Sequence, residues 1–258
     1  MHYREYPPHP ALAAHLDCVW AAQAPASAHH HRVLPDNCVD LLWQDGGQAG
    51  FAVGMMSSPI LVASSTSVRT LAVRFKPGAA GRFLGAPLHV LTDQRADLEQ
   101  LWGRSDAERL ADALWEYERP ERARLALIEG VLLQRLRAAQ AAPPSALLAQ
   151  RHADGLIRYA LGALEASDGG LRIADLATQL GVSRQHMATL FRQHVGLSPK
   201  LYARICRFRR ATAALQQTRA PDWSQLALAC GYFDQSHLIH DFQQFAGSAP
   251  QHFLRHTG

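Results

Sequence analysis

Few residues in this sequence combine type and spacing in a way that could do chemistry. His29, His30 and His31 precede Cys38 and Asp40, and imidazole, thiolate and carboxylate are ordinary metal ligands. Consecutive residues of a strand point to alternate faces, so only His29 and His31 could converge with Cys38; the competing reading is a surface loop. Cys18, Cys38, Cys206 and Cys230 contain no CxxC pair, which excludes a dense disulfide scaffold and a zinc finger. Residues 54–58, GMMSS, lack the GxSxG elbow of a serine hydrolase, and neither a P-loop nor GxGxxG occurs. The expectation is a chain with no catalytic residues, no cofactor and no resident metal. A metal- or thiol-dependent sensor or enzyme-like domain in the first half, with DNA binding as its output, is the alternative reading.

A second chemistry is written in charge and repetition. Residues 1–171 carry 16 basic and 18 acidic side chains, whereas residues 172–258 carry 10 basic and 4 acidic, a net of +6. A basic segment fused to a near-neutral one suits a module that meets nucleic acid. Within the basic segment Phe191, Gly196, Pro199, Tyr202 and Arg204 recur as Phe242, Gly247, Pro250, Phe253 and Arg255, each at an offset of 51. Leu176-Ala177 recurs as Leu226-Ala227 at an offset of 50, a one-residue slip confined to the turn. Two copies of one supersecondary unit are present.

The elements that position these residues follow from periodicity. Each copy reads as helix, tight turn, helix: an apolar stripe, Gly181 or Gly231 to stop it, Ser183 or Asp234 to cap the next helix, then Met187, Leu190 and Phe191 or Leu238, Phe242 and Phe245 facing back. Upstream, residues 1–90 hold short β-favouring runs at Cys18–Ala21, Val39–Trp43, Phe51–Gly54, Ile60–Ala63 and Val68–Phe75, the pattern of a small barrel or sandwich. Residues 95–140 switch to a helical period, as in Leu125, Ile128, Leu132 and Leu136. Pro143 and Pro144 mark a boundary. The 258 residues, 48% of them apolar, then divide into an α+β regulatory or dimerisation domain at 1–140, a linker at 141–152 and an all-α domain at 153–258, with helix-turn-helix units at 173–194 and 223–246. The N-terminus has no apolar core of a signal peptide and no stretch is long enough to span a bilayer, so a cytoplasmic protein without membrane contact is expected.

The motifs IADLATQLGVSRQHMATLFRQHVGLSPKLYARICRFRRA and LALACGYFDQSHLIHDFQQFAGSAPQHFLR resemble the AraC/XylS-type DNA-binding domain, over about 100 residues from Gly155 to Arg255. LPDNCVDLLW, VRFKPGAAGRFLG and LTDQRADLEQLWG resemble the poorly characterised domain that precedes this module in one subgroup, which implies no known ligand. The resemblance implies a bacterial transcription regulator with two helix-turn-helix units joined by a long helix, here about Pro199–Gln217, meeting two adjacent major-groove segments of double-stranded DNA. Gln185 suits a bidentate pair with adenine and Thr189 a thymine methyl, while Arg184 and Arg192 suit phosphates. By resemblance Gln185, Thr189, Gln235, Ser236 and His240 occupy base-meeting positions. Arg204, Arg207 and Gln243 join the phosphate candidates, although the arginines of the joining helix are too close in sequence to share one face. His237 and His240 would let the second unit respond to pH. In the first domain Trp20, Trp43, Phe51 and Phe75, with His31 or Arg74 for polarity, line a ligand pocket or simply form the core. A small-molecule effector, RNA polymerase and a second copy of the chain are the further partners open to such a regulator.

Overall fold

The structure, a computed structural model, describes residues 2–46, 49–64, 66–141, 143–217 and 221–256, with side chains described at all of these except 27–30, 63–64, 146–147 and 256. Eight strands come from the first hundred residues: β1 (His2–Tyr6), β2 (Leu16–Ala24), β3 (Ser27–Val33), β4 (Val39–Gln44), β5 (Phe51–Val53), β6 (Ile60–Ser64), β7 (Val68–Phe75) and β8 (Arg95–Asp97). Six form one antiparallel sheet in the order β1-β2-β7-β4-β5-β8, and β3 pairs with β6 as a separate ribbon. Strand parity sorts the side chains. Val19 opposite Val73, and Leu41 opposite the same Val73, put Val19, Ala21, Leu41, Trp43, Leu71, Val73 and Phe75 on the face that meets the helices. Cys18, Trp20, Ala22 and Ala72 form a smaller cluster on the other face, beside Leu42. Because β2 is buried on both faces, its Cys18–Ala22 run is apolar without alternation.

Among the described residues four α-helices complete this half: α1 (Gly81–Leu84), α2 (Leu98–Trp102), α3 (Arg104–Trp115) and α4 (Glu121–Gln140). Leu125, Ile128, Leu132 and Leu136 make the buried stripe of α4, which packs against β2, β7 and α1. Seven helices follow among the described residues: α5 (Pro144–Ala166), α6 (Ile173–Gln179), α7 (Arg184–His194), α8 (Pro199–Leu215), α9 (Trp223–Ala229), α10 (Gln235–Ala246) and α11 (Pro250–His256). The chain is therefore antiparallel strands with helices, then helices alone.

Residues 144–152, expected as a stiff linker, are instead the opening turns of α5. Pro144 stands in the first turn, where a missing N–H costs nothing, so the proline pair starts a helix. α5 then buries Ile157, Ala160, Leu161 and Leu164 and packs on α7 and α8. The two halves share one continuous core cluster that runs from Leu12 to Phe253.

Candidate nucleic-acid interface

Each repeat folds as a helix-turn-helix. In the first, α6 stops at Gly181, whose φ of +65° suits glycine, and the Val182 N–H donates to the Ala177 carbonyl at 3.1 Å. The Ser183 hydroxyl then accepts from the His186 N–H at 3.1 Å and caps α7. In the second, α9 stops at Gly231 with φ +77°, the Tyr232 N–H donates to the Ala227 carbonyl at 2.9 Å, and the Asp234 carboxylate caps α10 by accepting from the His237 N–H at 2.7 Å. Met187 and Phe191, Leu238 and Phe242 bury the inner faces. Between the units α8 buries Tyr202, Ile205, Phe208 and Ala211, and Phe208 stands edge-on to Phe242 with centroids 5.0 Å apart.

The outer faces are open where the sequence places base-meeting groups. Arg184, Gln185 and Arg192 on α7 are exposed, and Thr189 is half-buried with its hydroxyl donating to the Gln185 carbonyl at 3.1 Å. That internal bond occupies the hydroxyl. On α10, Gln235, Ser236, His240 and Gln243 are exposed, whereas His237 is half-buried with its ring edge-on to Tyr232 at 5.1 Å.

The arginines of α8 divide between inward and outward contacts, and the two named as phosphate candidates, Arg204 and Arg207, are tied to the second unit. Arg204 donates through Nη2 to Asp241 Oδ1 at 2.5 Å and to Gln244 Oε1 at 2.6 Å, and through Nε to Asp241 Oδ1 at 3.1 Å. Asp241 is fully buried, and the Arg204 guanidinium stands 5.0 Å from the Phe245 ring centroid. Arg207 donates to the Gly231 carbonyl at 3.3 Å and lies against Tyr232. Both are tied inward because Asp241 and the second turn lie directly against their face of α8. Arg210 pairs with Asp168 at 2.7 Å, and Arg209 is exposed. Asp241 carries no signal in sequence beyond being an acidic residue on an otherwise apolar helix face.

The six N-terminal pocket candidates do not come together. Trp43 and Phe75 are fully buried in the main core, which is the simple-core reading for those two. Trp20, Phe51 and Arg74 share the opposite face of the sheet, where Arg74 is paired with Asp40 at 3.2 Å and Asp36 at 3.7 Å. Burial pushes the Asp40 carboxyl up to about 6 against the pull of Arg74. His31 is exposed on the ribbon of β3 and β6, and the side chains of His29 and His30 lie outside the described residues. Among the described residues no three His, Cys, Asp or Glu side chains form a group that could hold a metal. Burial raises the Cys38 thiol above its ordinary range and pushes Cys18 up to about 12, which disfavours the reactive thiolate.

What sequence reasoning missed is the junction between the halves. The Thr92 hydroxyl donates to the Gly196 carbonyl, just past α7, at 2.6 Å. Asn37, 1% exposed and left-handed at φ +67°, donates to the Tyr202 carbonyl in α8 at 3.4 Å. Gln244 of α10 reaches the Ser57 carbonyl at 3.4 Å, and Arg82 pairs with Asp154 of α5 at 2.5 Å. Asn37 lies within the LPDNCVDLLW motif, but nothing in that motif points to its partner in α8. A cleft of about 1120 Å³ opens along this junction, lined among others by His15, Lys76, Arg158, Glu165, Arg209 and Arg210.

Residues 176–256 match the helix-turn-helix domain family, and residues 4–97 match a domain family of unknown function. None of the curated proteins matches the chain. Among solved structures it is similar to ToxT from Vibrio cholerae, with 10% identity, a TM-score of 0.46 and 92% of this chain covering 97% of that one. ToxT bound to (E)-4-(8-methylnaphthalen-1-yl)but-3-enoic acid gives 10% identity and a TM-score of 0.44, with 91% and 97% covered. Unsaturated fatty acid bound wild-type ToxT gives 11% and 0.43, with 91% and 93% covered. No helix among the described residues is long and apolar enough to cross a membrane.

Proposed function

We propose that this DNA-binding transcription regulator, an AraC-type helix-turn-helix domain behind a domain of unknown function, reads two adjacent major-groove segments of duplex DNA under control of its N-terminal half. The observation that carries the reading is the pair of capped helices α7 and α10, each presenting an exposed glutamine in its first turn, in two helix-turn-helix units joined by α8. Gln185, Thr189, Gln235, Ser236 and His240 meet bases; Arg184, Arg192 and Gln243 meet phosphates. Arg204 and Arg207 hold the second unit in place instead.

The contacts of Thr92, Asn37 and Ser57 with both units and with α8 supply the means of control, because a change in the N-terminal half would move one helix-turn-helix relative to the other. An effector acts by binding one such arrangement better than another. The cleft along the junction is the place for one, and its lining mixes Lys76, Arg158 and Arg209 with Asp17, Glu165 and Asp168, so its charge does not select an anion over a cation. A second copy of the chain and RNA polymerase remain partners of the proposal rather than of any contact described above. The test is retention of DNA fragments by the full chain across about 50 to 200 mM salt against random duplex. Gln185→Ala and Gln235→Ala should each relax specificity by about ten-fold or more, a bidentate pair being worth roughly 1–3 kcal/mol. Binding no tighter than to random duplex, with both variants unchanged, would sink it.

A further inference from the structure

We infer that Phe233 is a specificity-determining side chain that packs against a thymine methyl beside the bases met by Gln235 and Ser236; this rests on the DNA-reading role proposed for α10. The two turns align through their hydrogen bonds, Gly181 with Gly231 and Val182 with Tyr232, since the Val182 and Tyr232 N–H groups close the same bond to Ala177 and Ala227. The caps Ser183 and Asp234 align next. One residue is left over in the second unit, and it is Phe233: the one-residue slip of the repeat is an inserted phenyl ring.

That ring is 87% exposed. An apolar residue directly before a helix cap ordinarily staples to the residue four positions into the helix, here Leu238. Leu238 is fully buried and Phe233 is not, so the staple is not made. The ring gains nothing from the fold, and its hydrophobic surface is available to a partner. Its neighbours Gly231, Asp234, Gln235 and Ser236 are exposed and small or polar; Leu228 of α9 is a further exposed apolar side chain five positions back, and two such side chains fall short of the wider apolar patch a protein partner would cover. A reading helix enters the major groove by its N-terminal end, carrying the residue before the cap with it. The apolar group on offer there is the thymine C5 methyl, and phenylalanine is among the side chains that meet it.

Duplexes enriched from a random pool by the full chain supply the probe. Replacing each thymine of the enriched site by uracil, one at a time, removes single methyls. The unaltered protein should lose about four-fold in affinity at one position, the value of one buried methyl. Phe233→Ala should lose a similar factor on the thymine duplex and nothing more when that position carries uracil, while keeping the melting temperature. Such non-additivity marks a direct contact. Phe233→Leu, still apolar, should retain part of the discrimination. If Phe233→Ala binds every duplex as the unaltered protein does, or if the two losses simply multiply, the inference is overturned while DNA reading stands. If no sequence is enriched at all, the reading role of α10 fails and the inference falls with it.

Discussion

Replacing Arg204 with methionine separates an internal tie from a phosphate anchor. The substitution keeps most of the side-chain volume and removes the charge. It leaves the Asp241 carboxylate, 0% exposed, with no cation within hydrogen-bond distance, and Asp241 Oδ2 already lacks a partner. Orphaning one member of a buried pair costs about 3–5 kcal/mol; with the Arg204 side chain 18% exposed the lower end applies, about 3 kcal/mol. In a chain of this length that lowers the melting temperature by roughly 6–12 °C, read by circular dichroism. Arg204→Met with Asp241→Leu should recover most of the loss, because an apolar pair of similar volume replaces the ionic one. DNA binding gives the second arm. Each phosphate contact contributes about 0.9 to the slope of log K against log salt, so Arg192→Ala should flatten the slope by that amount and Arg204→Met should leave it unchanged. A slope reduced by about 0.9 in Arg204→Met, with an unaltered melting temperature, would refute the internal assignment.

Gly169 sits at φ +74° between α5 and α6, and a Cβ there would stand 1.9 Å from the Ala203 carbonyl oxygen of α8. Gly169→Ala should therefore cost about 3 kcal/mol or more in denaturant unfolding, and a cost under 1 kcal/mol would contradict the close approach. Thr92→Val removes the bond to Gly196 at a net cost of about 1 kcal/mol, expected as faster amide exchange around Gly196 with the sheet unaffected. Burial lowers His15 and His194 from the ordinary 6.5, so the unfolded imidazoles take up protons that the folded ones resist. Their stabilisation is complete above pH 6.5 and declines as pH falls below it; a His15→Gln, His194→Gln double variant should flatten that limb in urea titrations at stepped pH. Asp40, raised to about 6 from 3.8, has the opposite sign, its protonation favouring the folded state as pH falls from 6 toward 4, which Asp40→Asn isolates.

The helical half was legible because its signals are local. Ser183 and Asp234 lie within three residues of the N–H groups they cap, and Gly181 and Gly231 stop helices that precede them directly. The arginines of α8 were not legible in the same way, since Arg204 finds Asp241 thirty-seven positions along, and a carboxylate so placed looks like any other. In the first half, strand parity already separates Trp43 and Phe75 from their immediate neighbours. Which face is covered depends on register between strands far apart in sequence, so Trp20 and Phe51 could not be assigned to the face opposite Trp43. β1 and β8 escaped notice because His2–Tyr6 and Arg95–Asp97 are polar edge strands with no apolar alternation. The proline pair was recognised as a boundary, but a first-turn proline and a helix-ending one look alike until the residues after it are seen to pack.

The shared interior bears on how such a chain can diverge. Its two families are recognisable separately, which suggests parts free to recombine, yet one apolar cluster is common to both and Gly196 is gripped from the far side by Thr92. A foreign front half grafted onto this helical half would inherit neither Thr92 nor Asn37, and the backbone carbonyls of Gly196 and Tyr202 would lose those partners. Substitutions on one side of the seam therefore constrain those on the other, and lineages carrying this pairing should change the two sides together even while the outer faces of α7 and α10 drift.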